Sequence, residues 1–117
     1  MSSAPDHFVL ICSTCEGPEG AARLRSDLLP ELPDCFGIRA VDCLAGCEQP
    51  IAVGFQAQGK ASYVFGPIEG RADSEALVKF AHQFSASQSG WTSATDRPSA
   101  LFHKTLARLP ALPDQQP

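Results

Sequence analysis

The sequence predicts an α/β domain: a β-α-β-(loop)-β-β-α layer followed by a C-terminal loop and a short helix. Three observations predict it. Four short runs rich in β-branched and aromatic residues have the length and composition of strands. Two longer segments repeat their apolar residues at helical spacing. Glycines, prolines and small polar residues punctuate the intervals. With 117 residues, 44% apolar and 19% charged, the chain is long enough for one core and short for two.

The elements follow in order. His7-Phe8-Val9-Leu10-Ile11 is a buried strand that runs into Cys12-Ser13-Thr14-Cys15. Glu16-Gly17-Pro18-Glu19 starts a helix, with proline at the first turn and acids near the positive end of the helix dipole. Ala21, Leu24, Leu28 and Leu29 make its apolar stripe, and Pro30 and Pro33 stop it. Gly37–Asp42 alternates as a second strand and ends at Cys43; residues 44–50 form a loop or a single helical turn. Ile51–Phe55 and Ser62–Phe65 are paired strands of a hairpin around Ala57-Gln58-Gly59-Lys60. Asp73-Ser74 caps a second helix, whose Leu77, Phe80, Ala81 and Phe84 fall on one face. Residues 85–99 are a polar loop, and Ser99 caps a short amphipathic helix carrying Leu101, Phe102, Leu106 and Leu109. A proline-rich tail follows. The layout matches a thioredoxin-like α/β layer over residues 6–84, with residues 85–117 as an extension.

Charge narrows the function. The formal net charge is −4, with −5 carried by residues 1–84 and +1 by the remainder. An acidic body lacks the basic face that replaces phosphate counterions, so nucleic acid is not an expected partner. No apolar run has the length of a membrane span, and the first residues carry neither a basic nor a long apolar signal region. A cytoplasmic protein is expected. In a reducing compartment, clustered cysteines bind metal or do redox chemistry more often than they form structural disulfides.

Four of the five cysteines form two close pairs, Cys12-x2-Cys15 and Cys43-x3-Cys47, each directly after a strand. Parallel strands of a β-α-β unit open their C-terminal ends on one edge, which would bring the pairs together. Four thiolates at one edge suit a [2Fe–2S] cluster or a tetrahedral zinc ion. A third reading takes Cys12 and Cys15 as a thioredoxin-type thiol–disulfide pair whose pKa a helix N-terminus would lower. That reading leaves Cys43 and Cys47 without a task.

Cys43-Leu44-Ala45-Gly46-Cys47-Glu48-Gln49-Pro50, followed by Ile51-Ala52-Val53, resembles the cysteine loop of the thioredoxin-like [2Fe–2S] ferredoxins. The chain is more similar still to a bacterial family of small predicted metal-binding proteins related to those ferredoxins. Cys12-x2-Cys15, Gly59-Lys60 to Tyr63-Val64-Phe65-Gly66, and Arg97-Pro98-Ser99-Ala100-Leu101 to Ala107-Arg108-Leu109-Pro110 carry the likeness, which covers residues 8–110. The resemblance implies a thioredoxin-like fold, a [2Fe–2S] cluster on Cys12, Cys15, Cys43 and Cys47, one-electron transfer, and dimerisation. Relatives encoded beside cobalamin-biosynthesis or metal-handling genes extend the zinc alternative to metal handling. Three departures favour that alternative: only Ser13-Thr14 separate the first two cysteines, Gly46 follows Ala45 and is displaced by one position, and Gln49 stands where glycine precedes the proline.

The remaining residues are assigned lesser roles. Ser13, Thr14 and the amides around Ala45-Gly46 are candidate donors to sulfur, with plain loop polarity as the competing reading. Glu16, Glu19, Asp42 and Glu48 would form an acidic rim for a basic redox partner, or simply a solvated surface. Pro50 precedes a strand, where thioredoxin-like folds place a cis-proline. Cys35 is read as a structural thiol, and His7, His82 and His103 are not spaced to complete a metal site. Trp91 packs on the tail, and Arg97, Lys104 and Arg108 form a solvated basic face. Nothing resembles a nucleophile–base pair, a phosphate loop or a carboxylate pair, so an enzyme is not expected.

Overall fold

The computed structural model describes residues 6–12, 17–41, 51–68, 70–92, 97–101 and 103–110, leaving aside the side chains of 17–19 and 21. Its elements are β1 (His7–Cys12), α1 (Gly17–Leu28), a 3-10 turn (Leu29–Glu31), β2 (Phe36–Val41), β3 (Val53–Ala57), β4 (Ser62–Phe65), α2 (Gly70–Ala86), a second 3-10 turn (Ser99–Leu101) and β5 (Thr105–Leu109). The strands form one sheet in the order β2-β1-β3-β4-β5. β1 and β2 are parallel, and every other neighbouring pair is antiparallel.

α1 and the first two strands occur where the sequence places them. Leu24 and Leu28 are buried, whereas Leu29 lies outside the stripe and is exposed, because the chain tightens there into a 3-10 turn that includes Pro30. β3 begins two residues later than expected. The Cys12 amide donates to Ala52 O (3.1 Å) and the Ile68 amide to Ile51 O (3.1 Å), so those two carbonyls serve other segments. The hairpin turn forms at Gln58-Gly59-Lys60, with Gly59 at φ 79° and the Lys60 amide donating to Ala57 O.

Asp73 does not cap α2, which already begins at Gly70. Its carboxylate instead receives Lys104 Nζ at 2.5 Å, and the Ser74 hydroxyl donates to the Gly70 and Arg71 carbonyls. The second correction concerns residues 99–109. The expected amphipathic helix is only a 3-10 turn, and Thr105–Leu109 joins the sheet beside β4. Pairing with β4 satisfies backbone groups that a free helix end would leave to solvent, while Leu106 and Leu109 stay exposed rather than forming a helical stripe. The polar extension thus adds a strand to the sheet.

Alternation sorts β1: Val9 and Ile11 are buried in the core, whereas Phe8 and Leu10 are half-buried on the other face. Both helices contribute to a single core cluster. Its centre is aromatic. Phe80 stands edge-on to Phe55 (4.8 Å between centroids), Phe65 (4.9 Å) and Tyr63 (5.0 Å). Tyr63 keeps its hydroxyl satisfied by donating to Gly90 O (2.7 Å) and accepting from the Thr92 amide (3.1 Å). No helix among the described residues is long and apolar enough to cross a membrane.

Candidate metal centre

β1 and β2 run parallel with Cys12 directly opposite Val41, so both strands end on one edge of the sheet. Cys12 is the last residue of β1 and fully buried. On its other side lies Ala52, the acceptor of its amide. Cys12 therefore sits between the residue where the chain leaves β2 and the residue where it returns towards β3. The segment between those points, 42–50, carries Cys43 and Cys47. Cys15, Cys43 and Cys47 themselves lie outside the described residues, as do Ser13, Thr14, Glu16, Asp42, Ala45, Gly46, Glu48 and Pro50; of Glu19 the backbone alone is described. A cis bond among the described residues precedes Pro67.

The histidines divide. His82 and His103 are exposed, and among the described residues neither belongs to a group of potential metal ligands. His7 is different, and sequence spacing missed it. Its side chain is 12% exposed and donates from Nδ1 to the Asp6 carboxylate (2.7 Å). It packs against the rings of Phe36 and Phe84. The Asp6 and His7 amides both bond the Cys35 carbonyl, at 3.2 and 3.1 Å, which binds these residues to the start of β2. Lys60 Nζ approaches His7 Nε2 to 2.8 Å and also donates to the carbonyls of Phe84 (2.8 Å) and Ser85 (3.3 Å). Burial holds the Lys60 ammonium below the usual lysine range, partly offset by Cys35 and Asp6. The hydrogen bond from His7 holds the Asp6 carboxyl below its ordinary value. The register that sets Phe36 opposite His7 was the missing signal, because it brings Cys35 beside a residue 28 positions away.

Two of the basic residues near the C-terminus, Arg97 and Lys104, are structural partners rather than a solvated face, whereas Arg108 is exposed. Arg97 is buried and donates to Thr92 Oγ1, the Thr92 carbonyl and Thr105 Oγ1. Lys104 bridges Asp73 and the Pro67 carbonyl. Arg108 covers the exposed Trp91 ring at 3.8 Å, so Trp91 does pack on the C-terminal segment. A groove between α1 and α2 is lined by alternating charges, among them Arg23, Asp27, Arg71, Glu75 and Lys79. No group of metal ligands lies along it among the described residues.

Together these features define a small, compact α/β domain with a five-stranded mixed sheet and two helices. The chain belongs to the DUF1636 family, described as proteins of unknown function, whose family model matches residues 9–111. No curated protein and no solved structure matches it.

Proposed function

We propose that this protein is a small iron–sulfur electron carrier holding a [2Fe–2S] cluster on Cys12, Cys15, Cys43 and Cys47. The observation that carries the reading is the pairing around Cys12. Val41 is its partner on one side and Ala52 its hydrogen-bond acceptor on the other. Cys43 is two residues beyond Val41. Cys15 is three residues beyond Cys12, and Cys47 five residues before Ala52. The other three cysteines are thus within five residues, along the chain, of Cys12 or of its two partners. The donor set fits the group, since soft thiolates are the ligands iron–sulfur clusters use.

A bound cluster would supply one-electron redox chemistry. The protein's part is to hold it at the strand ends, set its potential through hydrogen bonds and solvent exposure, and leave it near the surface. Glu16, Glu19, Asp42 and Glu48 lie within a few residues of the cysteines and would offer a basic redox partner an acidic rim. The strand order β2-β1-β3-β4, with β1 parallel to β2 and antiparallel to β3, supports a thioredoxin-like reading of the layer. So does the return of α2 to the core. Such a carrier would work in the cytoplasm, and the resemblance adds a homodimer.

One observation favours a second reading. Both cysteine spacings suit a single tetrahedral zinc ion, which would make the protein a metal-handling module rather than an electron carrier. Anaerobic purification of the wild type and five single Cys→Ser variants separates the readings. The proposal expects a red-brown protein that bleaches on reduction, colour lost at positions 12, 15, 43 and 47, and colour kept in Cys35→Ser. A colourless wild type with one zinc per chain selects the second reading. A metal-free chain with a reversible Cys12–Cys15 disulfide selects a thiol oxidoreductase.

A further inference from the structure

We propose a second metal site at the opposite end of β1, formed by Asp6, His7 and Cys35 and suited to zinc or a similar borderline-soft divalent cation. Asp6 offers a carboxylate oxygen, His7 a ring nitrogen and Cys35 a sulfur, and these atoms lie within 4.8 Å of one another. Around a tetrahedral zinc ion such donors stand about 3.3–3.6 Å apart, so side-chain rotations suffice to close the set. Three protein ligands with the fourth position left to water are the pattern of open zinc sites, and carboxylate, imidazole and thiolate are each zinc ligands.

The backbone preorganises the cluster. The paired bonds from the Asp6 and His7 amides to the Cys35 carbonyl lock the donors' main chains together. The His7 ring is held between Phe36 and Phe84, at 5.2 and 5.8 Å between centroids, whereas the Asp6 side chain is 74% exposed. A cation thus meets a fixed nitrogen and a mobile carboxylate that can swing onto it. The site already holds a positive charge: the Lys60 ammonium lies 2.8 Å from His7 Nε2. Its other two bonds, to the Phe84 and Ser85 carbonyls, tether it when an incoming ion claims the histidine. On binding, the Cys35 thiol gives its proton to solvent and the sulfur bonds the metal as thiolate. Cys12 is five positions beyond His7, about 17 Å along the strand, so this site is distinct from the one proposed around Cys12.

Cobalt(II) titration of the full-length protein tests the assignment, read by the thiolate-to-cobalt charge-transfer band and by bound cobalt per chain. The wild type should bind one more cobalt ion than Cys35→Ser or His7→Gln, with iron or zinc at the other site unchanged in all three. Asp6→Asn alters an exposed side chain and serves where the other variants fold poorly; it should weaken the extra ion roughly tenfold or more. Lys60→Met removes a competing cation and should tighten binding, which a purely structural role for the cluster would not produce. Equal cobalt stoichiometry in the wild type and Cys35→Ser, unchanged affinity in Asp6→Asn, or loss of the extra ion on Cys12→Ser alone would overturn the proposal.

Discussion

Gly90 and Gly59 share the same backbone conformation, φ 79°, but sit in opposite surroundings, so one methyl group at each position separates two costs. A Cβ on Gly59 has nothing within 4 Å, and Gly59→Ala pays only the left-handed penalty of about 1–2 kcal/mol. A Cβ on Gly90 would lie 2.9 Å from Ala61 N, 2.9 Å from Lys60 Cβ and 3.0 Å from Phe84 Cε1. Two of those neighbours cannot yield cheaply. Ala61 N is main chain, held by its bond to Ser89 O at 2.8 Å, and the Phe84 ring is locked in the core. Relieving the overlap adds about 1–3 kcal/mol, so Gly90→Ala should cost about 2–5 kcal/mol in all. The shift would also pull Gly90 O from the Tyr63 hydroxyl. Urea unfolding followed by the fluorescence of Trp91, the single tryptophan, measures both variants. Equal losses within about 0.5 kcal/mol would refute the packing account of Gly90.

Other perturbations have equally definite outcomes. Phe80→Ala empties the centre of the aromatic cluster and should cost about 3–5 kcal/mol in the same assay; a loss under about 1 kcal/mol would mean the cluster is not the core. Lys104→Met leaves the buried Asp73 carboxylate without its ammonium and frees the Pro67 carbonyl. Because Lys104 is partly exposed, we expect about 1–3 kcal/mol, with Asp73→Asn/Lys104→Met less destabilised than Lys104→Met alone. Truncation before Thr105 should lower stability and open the outer edge of β4 to hydrogen exchange, whereas deleting only residues 111–117 should leave β4 protected.

Local pattern made the helices and the first four strands legible, because the alternation in β1 and the stripe Leu77-Phe80-Ala81-Phe84 each satisfy one periodicity. Residues 99–109 were misread because Leu101, Leu106 and Leu109 suit helical spacing, while the strand Thr105–Leu109 is specified by a partner, β4, 40 to 47 positions earlier. The solvated reading of Lys104 failed for the same reason, since Asp73 and Pro67 are distant in sequence, whereas Arg97 is buried against nearby Thr92 and Thr105. The cysteine pairs were visible because spacing alone signals them, and of their expected meeting place the parallel β1–β2 pair shows Cys12 opposite the end of β2. The Asp6-His7-Cys35-Lys60 cluster could not, since it assembles only once three segments have found their register.

The central claim is the proposed [2Fe–2S] cluster on Cys12, Cys15, Cys43 and Cys47, and chemical analysis of anaerobically purified protein tests it most directly. Iron and acid-labile sulfide are quantified per chain, with an electron paramagnetic resonance spectrum of the reduced sample. The account predicts two irons and two sulfides per chain, and a reduced spectrum of one unpaired electron that vanishes in Cys43→Ser. Stoichiometric zinc without sulfide would contradict it.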